Sequence, residues 1–293
     1  MVSFVYITTV ILTILLTFVI IRISVKKSSK DKYQSPPSDK AVMAVQSYLD
    51  TLHGPIDVLQ EQCLRLYNKG SFWLAASSNG NSIVENVVSQ IFAYHVPNDF
   101  RYSDKAGAEF WVQVREQTKH DSLPFHFDKD EALFSAKGLM RNPDIATVTY
   151  LSQGAAPPTV IFALTPEDVD IETDKCFRTP KNAFVCFPKR GKHLAFRGNM
   201  YHGVLGRMQS QKSSEPRVTL LVNIWLTDRP ANTRILTEEY GTSLSVIQFD
   251  PSSKETPIHV DEADDEINFY PPTRDIPFYI LENPSISSCV INY

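Results

Sequence analysis

Pro124-Phe125-His126-Phe127-Asp128 constrains this chain more than any other stretch. A histidine and a carboxylate two residues apart on extended backbone point to the same side, so His126 and Asp128 offer two adjacent metal ligands. Met200-Tyr201-His202-Gly203-Val204 supplies a third in a second apolar stretch, 76 residues past His126 (202 − 126). Two histidines and one aspartate leave half of an octahedral ion open, which suits non-heme Fe(II), whereas structural zinc normally takes four protein ligands.

Histidine-x-aspartate also arises by chance, and His259-Val260-Asp261 is a second copy. No histidine follows His259, and 34 residues remain after it (260 to 293), too few for the run of strands that normally separates such ligands. His126 is the better candidate, and its downstream context strengthens it. Gly191-Lys192-His193-Leu194-Ala195-Phe196-Arg197 precedes His202, and a polar loop from Arg207 to Pro216 follows it. Arg217-Val218-Thr219-Leu220-Leu221-Val222-Asn223-Ile224-Trp225 closes the series. The first and last pieces read as strands from their β-branched and aromatic content. Strands are also indicated at 108–116, 146–151, 159–164 and 183–187, with Pro and Gly between them, which points to an antiparallel sandwich or barrel.

In the order and spacing of these pieces, over roughly 109–228, the chain resembles the Fe(II)/2-oxoglutarate-dependent oxygenase superfamily and its prolyl hydroxylases. The resemblance implies a double-stranded β-helix, or jelly-roll, core that carries His126 and Asp128 early, His202 late and a basic residue on the final core strand. It implies Fe(II) on those three ligands, 2-oxoglutarate as cosubstrate, O2 as oxidant and ascorbate as an accessory reductant. Arg217 is the candidate for the far carboxylate of 2-oxoglutarate, which a guanidinium grips bidentately. Thr219, two residues on, shares its side of the strand. Tyr150 matches a strand on which some relatives carry a cosubstrate-contacting tyrosine, the alternative being plain core packing. Arg207 is the rival of Arg217, because 15 residues (217 − 202) separate Arg217 from His202, more than in many members. His193 is the rival of His202, but the family's Gly-x-x-x-x-Phe strand, here Gly191 and Phe196, comes before the ligand and favours His202.

The implied activity is hydroxylation or oxidative demethylation of a small-molecule, lipid or protein substrate, with release of succinate and CO2. Two other classes stay open: a non-catalytic jelly-roll binding module or scaffold, and a non-heme iron oxygenase that does not use 2-oxoglutarate. Ligation needs neutral imidazoles and an ionised carboxylate, so protonation is expected to release the metal below roughly pH 5 to 6.

Residues Met1 to Ile21 carry no charged side chain, and at about 1.5 Å per residue they reach across a bilayer core of about 30 Å. The run is too long for a signal-peptide h-region and lacks a basic n-region and a small-residue cleavage site. The expected organisation is a single-pass transmembrane helix over 1–24, a polar linker over 25–39, a helical segment over 40–105 and the oxygenase domain over 106–293, α+β overall. The helical expectation rests on Val42, Val45, Leu49 and Leu52, then Leu59, Cys63 and Leu66, at three- and four-residue steps. Arg22, Lys26, Lys27, Lys30 and Lys32 follow the apolar run and no basic residue precedes it, which favours a cytosolic domain. The absence of any Asn-x-Ser/Thr acceptor agrees, although membrane-anchored prolyl hydroxylases commonly face the endoplasmic reticulum lumen. A net charge of −4 without a concentrated basic patch in the body argues against a nucleic-acid partner. Cys63, Cys176, Cys186 and Cys289 form no C-x-x-C pair; Cys176 and Cys186 either pair across a hairpin or stay free.

Overall fold

The computed structural model describes residues 45–97, 100–115, 122–153, 157–171, 173, 175–177, 182–204, 215–237, 246–261 and 287–292. The expected anchor, the linker and residues 207–214 of the polar loop lie outside them. Among the described residues no helix is long and apolar enough to cross a membrane. The chain from Met43 onward is one compact unit.

Its elements are β1 (Val45–Tyr48), β2 (Leu52–His53), α1 (Ile56–Leu66), β3 (Phe72–Ala75), α2 (Ile83–His95), β4 (Gly107–Arg115), β5 (Leu123–His126) and α3 (Glu131–Lys137). They continue as β6 (Ile145–Tyr150), β7 (Thr159–Phe162), β8 (Val169–Asp170), β9 (Lys175–Cys176), β10 (Asn182–Cys186), β11 (His193–Arg197), β12 (Tyr201–Val204), β13 (Arg217–Trp225), β14 (Gln248–Phe249), β15 (Ile258–Asp261) and β16 (Ser288–Asn292). One six-stranded sheet runs β1-β11-β6-β13-β4-β3 and a second runs β15-β16-β10-β7-β12-β5. This sheet-rich arrangement with few helices is compatible with a double-stranded β-helix.

Alternation along the strands builds three packed layers. On β13, Val218, Leu220, Val222 and Ile224 are buried and join Leu59 and Cys63 of α1 and Val87, Val88 and Ile91 of α2 in one core. Each such fully buried aliphatic side chain contributes about 1.5–3 kcal/mol. Arg217, Thr219, Leu221, Asn223 and Trp225 occupy the other face of the strand. There Ala146, Val148 and Tyr150 of the first sheet meet Ile161, Phe184 and Cys186 of the second. The far side of the second sheet has its own core, including Phe125, Val160, Phe162, Val185 and Tyr201. The space between the sheets is therefore reached by one alternate set of side chains from each.

The expected strands at 108–116, 146–151, 159–164, 183–187, 191–197 and 217–225 appear within a residue or two as β4, β6, β7, β10, β11 and β13. Leu59, Cys63 and Leu66 form the buried stripe of α1, as their spacing predicts. The helical reading of Val45 to Leu52 is corrected, because Val45–Tyr48 is an edge strand hydrogen-bonded to β11 and Leu52 pairs with Phe249. The three-residue spacing misled because both faces of β1 are covered: Val45 packs between the sheets, while Tyr48 is buried against Tyr94 and His193. Asp50, with φ 50, then breaks any helical path. The segment 40–105 thus contributes strands β1 and β3 to the main sheet as well as its two helices. Cys176 and Cys186 form no disulfide, and neither do Cys63 and Cys289.

Candidate metal centre

β5 and β12 are antiparallel neighbours in the second sheet, and their register sets His126 directly opposite His202. Extended backbone carries the chain on from His126, so Asp128 returns to the same side two residues later. The three side chains converge: His126 Nε2 lies 3.6 Å from Asp128 Oδ1, and His202 Nε2 lies 3.8 Å from Asp128 Oδ2. One ligand atom from each falls within 4.8 Å of the others.

The donor set fits a metal ion on the chemistry of its nitrogens. His126 Nδ1 lies 2.9 Å from the carbonyl of Pro124, and His202 Nδ1 lies 2.9 Å from the carbonyl of Met200. A carbonyl only accepts, so each Nδ1 carries the proton and each Nε2 presents its lone pair to the triad. Burial holds His202 below the ordinary imidazole value, with His126 adding to that and Asp128 opposing it, so His202 is neutral. Burial also resists charging of His126, but its hydrogen bond and attraction to Asp128 outweigh this and raise its value. Burial alone would raise Asp128; His202 and His126 reverse that and hold its carboxyl below the usual range. Two imidazole nitrogens and one ionised carboxylate on one side of a metal match the facial triad of non-heme Fe(II). The His126 side chain is 36% exposed against 14% for Asp128 and 8% for His202, so access to the triad is from the His126 side.

Neighbouring residues fix these ligands. Asn142 Nδ2 donates to the backbone carbonyl of Asp128 at 2.7 Å, and Asn223 Nδ2 of β13 donates to its Oδ2 at 3.2 Å. The ring of Phe196 meets that of His202 edge-on at 4.9 Å. Glu109, opposite Asn223 on β4, accepts from Trp225 Nε1 at 3.1 Å. Burial, reinforced by the nearby negative charges of Asp128 and Asp130, pushes its carboxyl up to about 7 despite hydrogen bonds from Ser71 and Trp225.

Arg217 begins β13 on the face that also carries Asn223, and it is 2% exposed. Its Nη1 donates to the carbonyl of Pro157 at 2.9 Å and its Nη2 to Thr159 Oγ1 at 3.0 Å. The guanidinium lies over the Tyr150 ring at 5.1 Å, and Tyr150 Oη is 2.8 Å from the same Thr159 hydroxyl. Burial keeps the Tyr150 phenol protonated well beyond the usual range. Thr219 donates to the carbonyl of Gln113 at 3.3 Å. Arg217, Tyr150 and Thr219 therefore share one face, and Thr159 is the hydroxyl that joins the first two. The sequence reading overlooked Thr159, Asn142 and Asn223. Thr159 had a signal, since it lies inside the strand inferred at 159–164; the two asparagines had none.

The rival residues separate cleanly. His193 faces the helices, with Nε2 2.9 Å from His95 Nε2 and Nδ1 2.8 Å from Thr149 Oγ1, so it is no partner for His126. His259 sits on β15, which pairs with β16 at the far edge of the second sheet from β5. Arg207 lies outside the described residues.

No protein-family model and no curated protein matches the chain. Among solved structures it is similar to a Pseudomonas putida prolyl-4-hydroxylase, with TM-score 0.38 and 12% identity over 64% of this chain and 88% of that one. HygX from Streptomyces hygroscopicus, solved with iron bound, gives TM-score 0.37 and 10% identity over 71% and 92%. The non-heme alpha-ketoglutarate-dependent carbocyclase SnoK from nogalamycin biosynthesis gives 0.39 and 11% over 72% and 90%. Likeness at this level adds no argument to the geometry. The chain carries a His126–Asp128–His202 triad between two sheets, and solved structures of 2-oxoglutarate/Fe(II) oxygenases are among those it is similar to.

Proposed function

We propose that the chain is an Fe(II)/2-oxoglutarate-dependent dioxygenase that hydroxylates or oxidatively demethylates an organic substrate. The observation that carries this reading is the triad itself: two Nε2 lone pairs and an ionised carboxylate, with both Nδ1 protons tied to carbonyls. Bound Fe(II) would supply activation of O2, coupled to conversion of 2-oxoglutarate to succinate and CO2. His126, Asp128 and His202 would hold the ion as its three protein ligands, leaving room for the cosubstrate and O2. Arg217, braced by Pro157, Thr159 and the Tyr150 ring, supplies a fixed positive charge on the same inward face for the far carboxylate of the cosubstrate. The protonated Tyr150 and the Thr159 hydroxyl, bonded to each other, add polar groups beside that guanidinium without adding charge. The neighbouring Ile161, Phe184 and Leu194 keep it dry.

The uncharged run over 1–21 supports a single-pass anchor, and the basic residues after it support a cytosolic position for the domain. Protease treatment of sealed microsomes tests this: protection until detergent is added means a lumenal domain.

The enzymatic reading is tested by incubating the purified protein with Fe(II), ascorbate, O2 and 2-oxoglutarate and measuring succinate. Even without its substrate an oxygenase of this kind decarboxylates slowly, and the His202→Ala variant does not. A binding module yields no succinate under any of these conditions.

A further inference from the structure

Asp128 is held from two directions, and the two holds do different things. The turn after β5 is fixed through its backbone, since Asn142 Nδ2 donates to the Asp128 carbonyl at 2.7 Å and the Asp130 N–H donates to the Arg141 carbonyl at 2.9 Å. Arg141 also forms an ion pair with the Asp130 carboxylate. These contacts locate the Asp128 backbone but leave its carboxylate free to rotate about its side-chain bonds. Asn223, from the opposite sheet, acts on that rotation: its Nδ2 reaches Oδ2 at 3.2 Å.

Asn223 is 3% exposed on a strand whose other inward residues include Leu221 and Thr219, and its cross-strand partners are Ala146 and Glu109. Burying an amide costs free energy unless a partner compensates, so the position favours a small apolar residue on packing grounds alone. The partner it has is the carboxylate of a metal ligand. How that carboxylate binds matters to the chemistry proposed above. A carboxylate using one oxygen leaves three of six octahedral positions open, enough for a two-point chelating cosubstrate and O2. One using both oxygens leaves two.

We propose that Asn223 is a positioning residue for the metal centre: by engaging Oδ2 of Asp128, the oxygen 3.8 Å from His202 Nε2, it fixes the rotation of the carboxylate, whose Oδ1 lies 3.6 Å from His126 Nε2, and so sets how many of its oxygens reach the ion. This rests on the metal-centre reading and adds to it the control of how Asp128 binds. Asn223 touches neither substrate nor the ion; it acts through Asp128.

The full chain is compared with Asn223→Ala, which removes the donor, Asn223→Asp, which keeps the size but turns the donor into a like charge, and Asn223→Ser, which keeps a donor. Mn(II) binding is followed by the electron paramagnetic resonance signal of the free ion, and coordination by the visible absorption of bound Co(II). Loss of a group that orients a metal ligand typically weakens binding about ten- to a hundredfold. Asn223→Ala and Asn223→Asp are expected to show a loss of that size with an altered Co(II) band intensity, the signature of a changed coordination number. Asn223→Ser is expected to recover part of both. A folded Asn223→Ala protein with wild-type Mn(II) affinity and Co(II) spectrum overturns the assignment. Should Asn223→Ala fail to fold, the isosteric Asn223→Asp decides by the same two readouts. Failure of both to fold means Asn223 serves the core, which also overturns it. A wild-type protein that binds neither ion brings down the metal-centre reading itself, so the two failures are distinguishable.

Discussion

His126 and His202 face each other across β5 and β12 with ring centroids 4.5 Å apart, and each ring is pinned in the same way. In both cases Nδ1 is 2.9 Å from the carbonyl of the residue two positions earlier, Pro124 within β5 or Met200 just before β12. Each histidine also follows an aromatic residue, and Phe125 and Tyr201 pack together on the other side of the sheet with centroids 5.6 Å apart. The outward aromatic pair and the inward imidazole pair are two faces of one registered strand pair. Removing a ligand side chain therefore leaves the aromatic pair to hold the strands. His126→Ala, Asp128→Ala and His202→Ala should each abolish metal-dependent turnover while keeping the far-ultraviolet circular dichroism of the wild type. Retained turnover in His202→Ala removes the triad from consideration.

Metal loading should depend on pH mainly through His126. Its folded-state value is raised above the ordinary imidazole value of 6.5 by Asp128, which outweighs the opposing burial, whereas His202 is lowered and Asp128 stays ionised. In the metal-free protein, protonated His126 therefore contributes stability below pH 6.5, and that contribution is lost as pH rises through the raised value. Metal binding has the opposite dependence, because the proton on His126 must leave first. The rise in melting temperature on adding Mn(II) should grow steadily from about pH 6 to about pH 8. A metal-induced rise that is flat across this window would mean His126 does not compete with a proton.

Arg217→Ala should raise the 2-oxoglutarate requirement by about tenfold or more, corresponding to about 1.4 kcal/mol for the loss of one charge-assisted contact. Mn(II) affinity should change much less, since Arg217 is bonded at Pro157 and Thr159 and not at the triad. Thr159→Val should have a smaller effect in the same direction, because it removes the hydroxyl that Arg217 and Tyr150 share. Titrating 2-oxoglutarate against succinate release in each variant provides the check. An unchanged half-saturation in Arg217→Ala, with a shifted one in Arg207→Ala, transfers the role to Arg207.

What the chain discloses before folding follows the range of the interactions. The triad was legible because period-two geometry is local: His126 and Asp128 must share a side wherever the strand lies. The choice of His202 over His193 came from the order of Gly191 and Phe196 ahead of the ligand, and register gives its physical basis: His202 stands opposite His126, whereas His193 pairs with Thr149 in the other sheet. The strand at β1 was misread because its hydrogen bonds come from β11, about 150 residues away in sequence (196 − 45 = 151 for Val45 and Phe196), and no local periodicity encodes that. The Ser82 to Glu85 capping box at the start of α2 was readable from its spacing and was overlooked. Asn142 and Asn223 were not readable, since each acts on Asp128 from a distant segment and neither fits a motif.

Gly203 ties strand spacing to the metal site and permits a sharp test. It follows His202 at an irregularity where β12 meets β5. A Cβ at this position would lie 2.9 Å from the Leu123 carbonyl oxygen and 3.1 Å from the Phe125 ring. The backbone oxygen cannot swing aside as a side chain could, so Gly203→Ala must push β5 away from β12. Crowding of this kind costs about 1–3 kcal/mol, and the melting temperature should fall accordingly. Because β5 carries His126 and leads directly to Asp128, the same displacement should separate both from His202 and weaken Mn(II) binding by about tenfold or more in the folded protein. Measuring affinity well below the melting temperature keeps the two effects apart. A lower melting temperature with unchanged Mn(II) affinity would show that the strands yield elsewhere and that the ligands do not depend on this close approach.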